Sequence, residues 1–249
     1  MLVLNQLNGF WARIAAGGGP IEFVGGATAS VAGGGGNTTI SLSSGLTGGI
    51  ASAAADGDFV IAAYASSSTD DDPLSITDGS NDYTLIGTKG YSDDSTGFDT
   101  NLRVAYKFIS GDTSTTFGGT AAGTDAGAMA VYVFRGVNTS VPLDVTPVEA
   151  AASSTGSVDC GAILPVTAGA YIVVIGACAH NSGVDTWSTP SDLVDFLTVG
   201  SNDTNDVTLG IGHKADWVSG SFNPVAWTGT HGTNGLYSVC GKTIALRSA

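Results

Sequence analysis

Positive charge is what this chain of 249 residues has least of. Four lysines and four arginines stand against 20 aspartates and two glutamates, Glu22 and Glu149, for a formal charge of −14. No local basic cluster offsets that field, so a phosphate backbone would be repelled and nucleic acid is excluded as a partner. Glutamate is scarce for a structural reason. Aspartate bonds to nearby backbone amides in turns, whereas glutamate serves mainly on helices, so the charge is expected in loops.

Cysteine is also sparse. Cys160, Cys178 and Cys240 are odd in number, share no CxxC spacing and lie in apolar runs, which argues against a disulfide framework and a zinc site and for buried free thiols. No apolar run is long enough for a membrane-spanning helix. The N-terminus has no basic stretch, and Asn5, Gln6 and Asn8 interrupt any signal-peptide core, so conventional secretion is not expected.

Signatures of chemistry are missing as well. No GxSxG elbow occurs, and His180, His213 and His231 have no motif around them. His213 falls where an earlier, similar segment has Phe108 or Tyr106, which reads as a structural histidine. Twenty aspartates supply chance pairs for glycoside hydrolysis without a reason to select one. Asp70–Asp72, Asp93 and Asp94 with Asp99, and Asp203 with Asp206 offer oxygen ligands, but no EF-hand order or calcium nonapeptide accompanies them, and they read as solvated turns. The glycine runs 17–19 and 33–36 lack a phosphate-loop context. No catalytic residue, cofactor or metal is therefore expected, and the chain reads as a non-enzyme.

What is present is strand and turn, with 37 glycines and only seven prolines separating short apolar runs. Gly57-Asp-Phe-Val-Ile-Ala-Ala-Tyr64 returns as Gly169-Ala-Tyr-Ile-Val-Val-Ile-Gly176, with similar neighbours on both sides. Leu102, Val104, Tyr106 and Phe108 alternate with the residues between them at the period of a half-buried strand. Strands are expected at 21–24, 39–42, 57–64, 102–109 and 129–135, with a hairpin joining 74–77 to 83–86 across the DGSND loop. Tyr171–Cys178, Asp195–Gly200, Val207–Lys214 and Tyr237–Arg247 then repeat the order. The expectation is an all-β protein of two tandem, internally duplicated β-sandwich lobes, jelly-roll or immunoglobulin-like, at 20–137 and 155–249, joined by a linker at 138–154.

Residues 1–19 differ from the rest. Leu4, Leu7, Trp11 and Ile14 share one helical face ahead of Gly17-Gly18-Gly19-Pro20. They read either as a terminal helix packed on its own body or as an anchor set into another protein. Trp187 and Trp217 are the residues for stacking on a sugar, while Trp227 matches Phe117 and reads as core.

The pattern 57–64, then Leu74-Ser-Ile-Thr-Asp-Gly-Ser-Asn-Asp-Tyr-Thr-Leu-Ile-Gly87, then Asn101-Leu-Arg-Val-Ala-Tyr-Lys107, resembles accessory virion proteins of tailed bacteriophages. The resemblance covers mainly the first repeat, and Ser191-Asp-Leu-Val-Asp195 replaces the DGSND loop in the second. It implies a structural role at the virion surface, as capsid decoration, head fibre or tail adhesin, with other virion proteins and further copies of the chain as partners and release by host lysis. The alternative is a carbohydrate-binding module or adhesin that takes a host surface glycan on Trp187 and Trp217.

Overall fold

The computed structural model describes residues 19–33, 37–69, 71, 73–78, 83–93, 97–118, 126–153, 157–180, 183, 186–202, 205–228 and 238–249. All regular structure among them is β, and every strand pairing is antiparallel. The first half carries β1 (Glu22–Val31), β2 (Thr38–Ser41), β3 (Phe59–Ser68), β4 (Ser75–Thr77), β5 (Thr84–Leu85), β6 (Gly90–Ser92), β7 (Asp99–Phe108), β8 (Ser114–Gly118) and β9 (Ala126–Arg135). The second half carries β10 (Val148–Ser153), β11 (Ser157–Val158), β12 (Ala170–His180), β13 (Val194–Ser201), β14 (Asp206–Trp217), β15 (Trp227–Thr228) and β16 (Ser238–Leu246).

Each half contributes one large sheet and one small one. The large sheets run β1-β9-β3-β7-β5, with β6 also on β7, and β10-β16-β12-β14-β13. The small ones are β2-β8-β4 and β11-β15. Side-chain alternation shows how these layers stack. From β3, Phe59, Ile61, Ala63 and Ala65 enter a cluster that also holds Tyr171, Val173, Ile175 and Ala177 of β12. The other face of β3 packs Val60, Ala62 and Tyr64 against Ile40, Ile76 and Phe117 of the small sheet. The other face of β12 packs Ile172, Val174 and Cys178 against Val158, Trp187 and Trp227. The two large sheets are thus face to face in the middle, each covered outside by its own smaller layer. A strand buried on both faces has little place for an unpaired charge, which is why 59–65 and 170–177 read as unbroken runs of small and apolar residues. Close approach depends on glycine at one of these strands: a Cβ on Gly176 would lie 2.6 Å from the Trp227 ring.

Several sequence expectations change. The halves do not keep separate cores, because the inner faces of both large sheets form one cluster. The stretch 138–154 is not a free linker: β10 lies within it and pairs with β16, while Asn138 and Asp144 donate backbone hydrogen bonds to Arg247 and Ala245. The 74–77 and 83–86 segments do not form a hairpin ladder, since β4 joins β8 in the small sheet and β5 joins β7 in the large one. β1 runs on past Val24 to Val31 because Gly25 takes up an irregularity in its register with β9. The proposed anchor residues Leu4, Leu7, Trp11 and Ile14 lie outside the described residues.

Candidate functional site

The chemistry of this molecule is concentrated where the two large sheets meet. They stack in opposite order, so that β1 of the first half lies by β13 of the second, and β10 of the second lies by β6 of the first. Each of these seams carries buried polar side chains that reach across to the other half.

At the β1/β13 seam, Tyr132 of β9 points into the shared core. Its hydroxyl has the carbonyls of Ile211, at 2.8 Å, and Asp195 as acceptors for its single proton. Asp195 sits in an irregularity of β13 with φ 48°, a left-handed conformation uncommon outside glycine, which leaves its carbonyl off the ladder and in need of a donor. Next to it, His213 of β14 is packed among Phe23, Tyr171, Tyr132 and Phe134, with ring centroids 4.4 to 6.2 Å away. Its Nδ1 is 3.0 Å from the Tyr171 hydroxyl, and its Nε2 is 3.1 Å from Asp195 Oδ2 without the alignment of a hydrogen bond. Burial pulls the His213 pKa down to about 4, against the opposing pull of Asp195, so the ring is neutral at pH 7. Burial likewise pushes the Tyr132 and Tyr171 phenols up. Ser201 completes the seam by donating to the carbonyl of Val31 at 2.6 Å.

At the β10/β6 seam, the buried donor is Lys242 of β16, whose side chain is 1% exposed. Its ammonium donates to the carbonyls of Ile86 and Thr88, the latter at 2.8 Å, and to Glu149 Oε1 at 2.9 Å. Glu149 also accepts from the Thr88 amide at 2.7 Å and from its hydroxyl. Burial pulls the lysine below its ordinary range while Glu149 opposes. Burial pushes the Glu149 carboxyl up, but bonds from Thr88 and Lys242 outweigh it and leave it below the usual value. Ser92 donates to the carbonyl of Ala152 at 2.8 Å, the counterpart of Ser201 on the other side. A groove of about 230 Å³ opens beside this lysine, lined by Thr88, Lys89, Tyr91 and Glu149.

Elsewhere, too, the few cations are spent on ion pairs. Arg135 makes two 2.9 Å bonds to Asp58, Arg247 reaches Asp144 at 3.2 Å, Lys89 contacts Asp71, and Lys107 contacts both Asp78 and Asp112. Among the described residues, Lys89, Lys107, Arg135, Lys242 and Arg247 are therefore committed to ion pairs within the chain. Among the described residues no group of three or more His, Cys, Asp or Glu is arranged to hold a metal.

Trp187 is buried, 4% exposed, with its ring 5.4 Å from that of Trp227, which leaves no open face for a sugar. Trp217 is half-buried, packs on Phe222 at 5.2 Å and donates from Nε1 to the carbonyl of Gly220. The pair expected to stack on a glycan is thus not an exposed platform. Trp227 and Phe117 are both core residues, and the three cysteines are buried and free, the Cys240 thiol pushed up to about 12 by burial. Tyr132, Lys242 and Glu149 were missed by sequence reasoning. The one available signal was that Lys242 has the same strand parity as the inward Cys240 and Ile244. Comparison with protein-family models, curated proteins and solved structures found no match for this chain.

Proposed function

We propose that this protein is a non-enzymatic structural component exposed on the particle of a tailed bacteriophage. Residues 1–19 attach it, with Leu4, Leu7, Trp11 and Ile14 seated in a neighbouring virion protein or a further copy of the chain. The observation that carries this reading is the use made of the buried polar groups. Tyr132, Ser201, Ser92, Lys242 and Glu149 all tie one half to the other, and of these Lys242 and Glu149 also border the groove at the β10/β6 seam, where their bonds are spent across the seam. A protein built this way resists deformation and leaves its acidic loops to face solvent, which suits service on an exposed particle. Groups arranged for substrate would instead gather around a concave space.

We also infer that the chain arose by internal duplication, each half a β-sandwich made of its large sheet and the smaller layer over it. The matching order of strands across both large sheets supports this, as do the paired serine ties and the equivalent arginines Arg135 and Arg247. The seams on opposite edges then follow from a pseudo-twofold relation, as in an isologous dimer joined into one chain.

The test is to quantify the chain in purified particles and to compare it with a form lacking residues 1–19. The truncated protein is expected to keep its circular dichroism and melting temperature and to fail to join particles that lack the native protein. Undiminished incorporation would remove the anchor. Hydrolysis of a polysaccharide or peptidoglycan, lost on changing one aspartate, would overturn the non-enzymatic reading.

A further inference from the structure

One ion-pair cluster differs from the rest. Lys107 on β7 extends its amine toward the smaller sheet, where it contacts Asp78 Oδ2 and lies 2.9 Å from Asp112 Oδ1. Asp78 directly follows β4, and Asp112 sits in the turn between β7 and β8, where its other oxygen accepts from the Ser110 amide at 3.1 Å. The side chains are 19%, 2% and 14% exposed for Lys107, Asp78 and Asp112. Tyr83 is buried close enough to feel the Asp112 charge, its hydroxyl 2.6 Å from Thr115 Oγ1. Its phenol is pushed up to about 12, first by burial, with the Asp112 charge adding to the effect. One amine is thus held between two carboxyl groups, in a place from which water is largely excluded.

The geometry points to an intramolecular amide: Lys107 Nζ condenses with the Asp78 side chain while Asp112 carries the proton, giving a covalent staple between the large sheet and the sheet over it. Moving one proton along the Lys107–Asp78 contact turns the ionic pair into a neutral amine and a carboxylic acid. The amine lone pair attacks Asp78 Cγ. Asp112 takes a proton from the attacking nitrogen and returns it to the departing hydroxyl. The Nζ–Cγ bond forms, a Cγ–O bond breaks, and that oxygen leaves as water. An ammonium and a carboxylate become an amide plus water, Asp112 ends as it began, the net charge is unchanged, and no oxidant or co-reactant is needed. Positioning of the two partners by the fold supplies the advantage that free lysine and aspartate lack in water.

Two of the three other lysines show why this site is singled out. Lys242 has one carboxylate and two backbone carbonyls around it, so its three protons are satisfied, and among the described residues Glu149 is the carboxylate it meets. Lys89 contacts Asp71, whose carboxylate is 62% exposed and open to water, and it donates as well to the Asn101 amide oxygen at 3.0 Å, so it is not held between two carboxyl groups in the same way. The inference does not depend on the proposed function.

Mass spectrometry of the purified full-length chain tests it. The intact mass is expected to fall short of the sequence value by one water, and a protease digest is expected to yield a branched peptide joining the Lys107 segment to the Asp78 segment. Lys107→Arg should restore the full mass, since a guanidinium is a poor nucleophile. Asp78→Asn should give the same branched peptide with loss of ammonia in place of water. Full mass in the unaltered protein would overturn the inference whatever the variants do. So would a water deficit that survives in Lys107→Arg, which would instead mark ring closure at the Asp78-Gly79 dipeptide. A branched peptide formed to the same extent in Asp112→Asn would remove Asp112 from the step.

Discussion

The two seams solve one problem with different chemistry. Where β1 lies by β13, the carbonyls of Asp195 and Ile211 are met by the phenol of Tyr132, and the neutral His213 fills the space beside it. Where β10 lies by β6, the carbonyls of Ile86 and Thr88 are met by the ammonium of Lys242, and Glu149 is present to balance its charge. Equivalent strands, β9 and β16, supply the donor in each case. A phenol brings one proton and no charge, so it can be buried alone. An ammonium brings three protons and a charge that stays buried only with a carboxylate close by. The second solution makes more bonds and has more to lose.

Breaking the charged seam is therefore expected to give the largest effect. Lys242→Ala leaves the carbonyls of Ile86 and Thr88 without their donor and Glu149 with Thr88 alone, and should cost about 3 kcal/mol, the lower end for stripping one partner from a buried ion pair because Glu149 is 33% exposed. The urea midpoint of the variant reads it. Tyr132→Phe strands only neutral carbonyls and should cost about 1–3 kcal/mol. Replacing both charged partners, as Lys242→Met with Glu149→Leu, is expected to recover much of the loss, because the penalty belongs to the unpaired charge. Equal losses for Lys242→Ala and Tyr132→Phe would show that the seams do not differ in the way described.

The neutral seam has its own weakness, which is acid. His213 has a folded pKa of about 4, below the unfolded value of about 6.5, so between those values the unfolded chain binds the extra proton and the folded one does not. Stability is complete above the unfolded pKa and falls as pH drops through the window. The loss approaches about 3 kcal/mol near pH 4, at roughly 1.4 kcal/mol per pH unit. His213→Phe, which keeps a ring at this position as Tyr106 does at the equivalent one in the first half, should flatten the melting temperature over that window relative to the native protein. A variant with the same slope would assign the acid sensitivity to other groups.

How far these features could be read beforehand depended on what each residue type excludes. The strands within 57–64 and 169–176 were legible because burial on both faces keeps charge out of 59–64 and 170–176. What covers each face was not legible, since Phe59 and Val60 are equally apolar yet point into different clusters, one shared between the halves and one private to the first. β10 went unseen because Glu149-Ala-Ala-Ala152 has no branched or aromatic residue. It is a strand only by virtue of the β16 edge it completes. In sequence β1 reads as ending at Val24 because a glycine pair reads as a turn, although Gly25 here absorbs a register shift within a continuing strand. Lys242 showed only a parity that an exposed lysine could share on the opposite assumption about faces. Its role needed Glu149 and Thr88 from distant parts of the chain.

The smallest effect bears most directly on the relation between the halves. Ser201 donates to Val31 on one seam at 2.6 Å, and Ser92 donates to Ala152 on the other at 2.8 Å. In both pairs the serine sits at the end of its half's outer strand, β13 or β6, and the acceptor lies on the strand at the opposite edge of the other half's sheet. Neither bond is needed to close the core, which the apolar faces already fill. Ser201→Ala and Ser92→Ala should each cost about 1 kcal/mol, the usual net value of one intramolecular hydrogen bond. The two positions lie on opposite edges of the stacked sheets and share no partner, so the double variant should lose the sum of the single losses to within about 0.5 kcal/mol. Two halves related by a twofold owe the same contact twice. Near-equal losses that add support that relation, whereas a large loss at one serine with none at the other would mean that the seams were fitted separately and that the matching strand order carries no matching energetics.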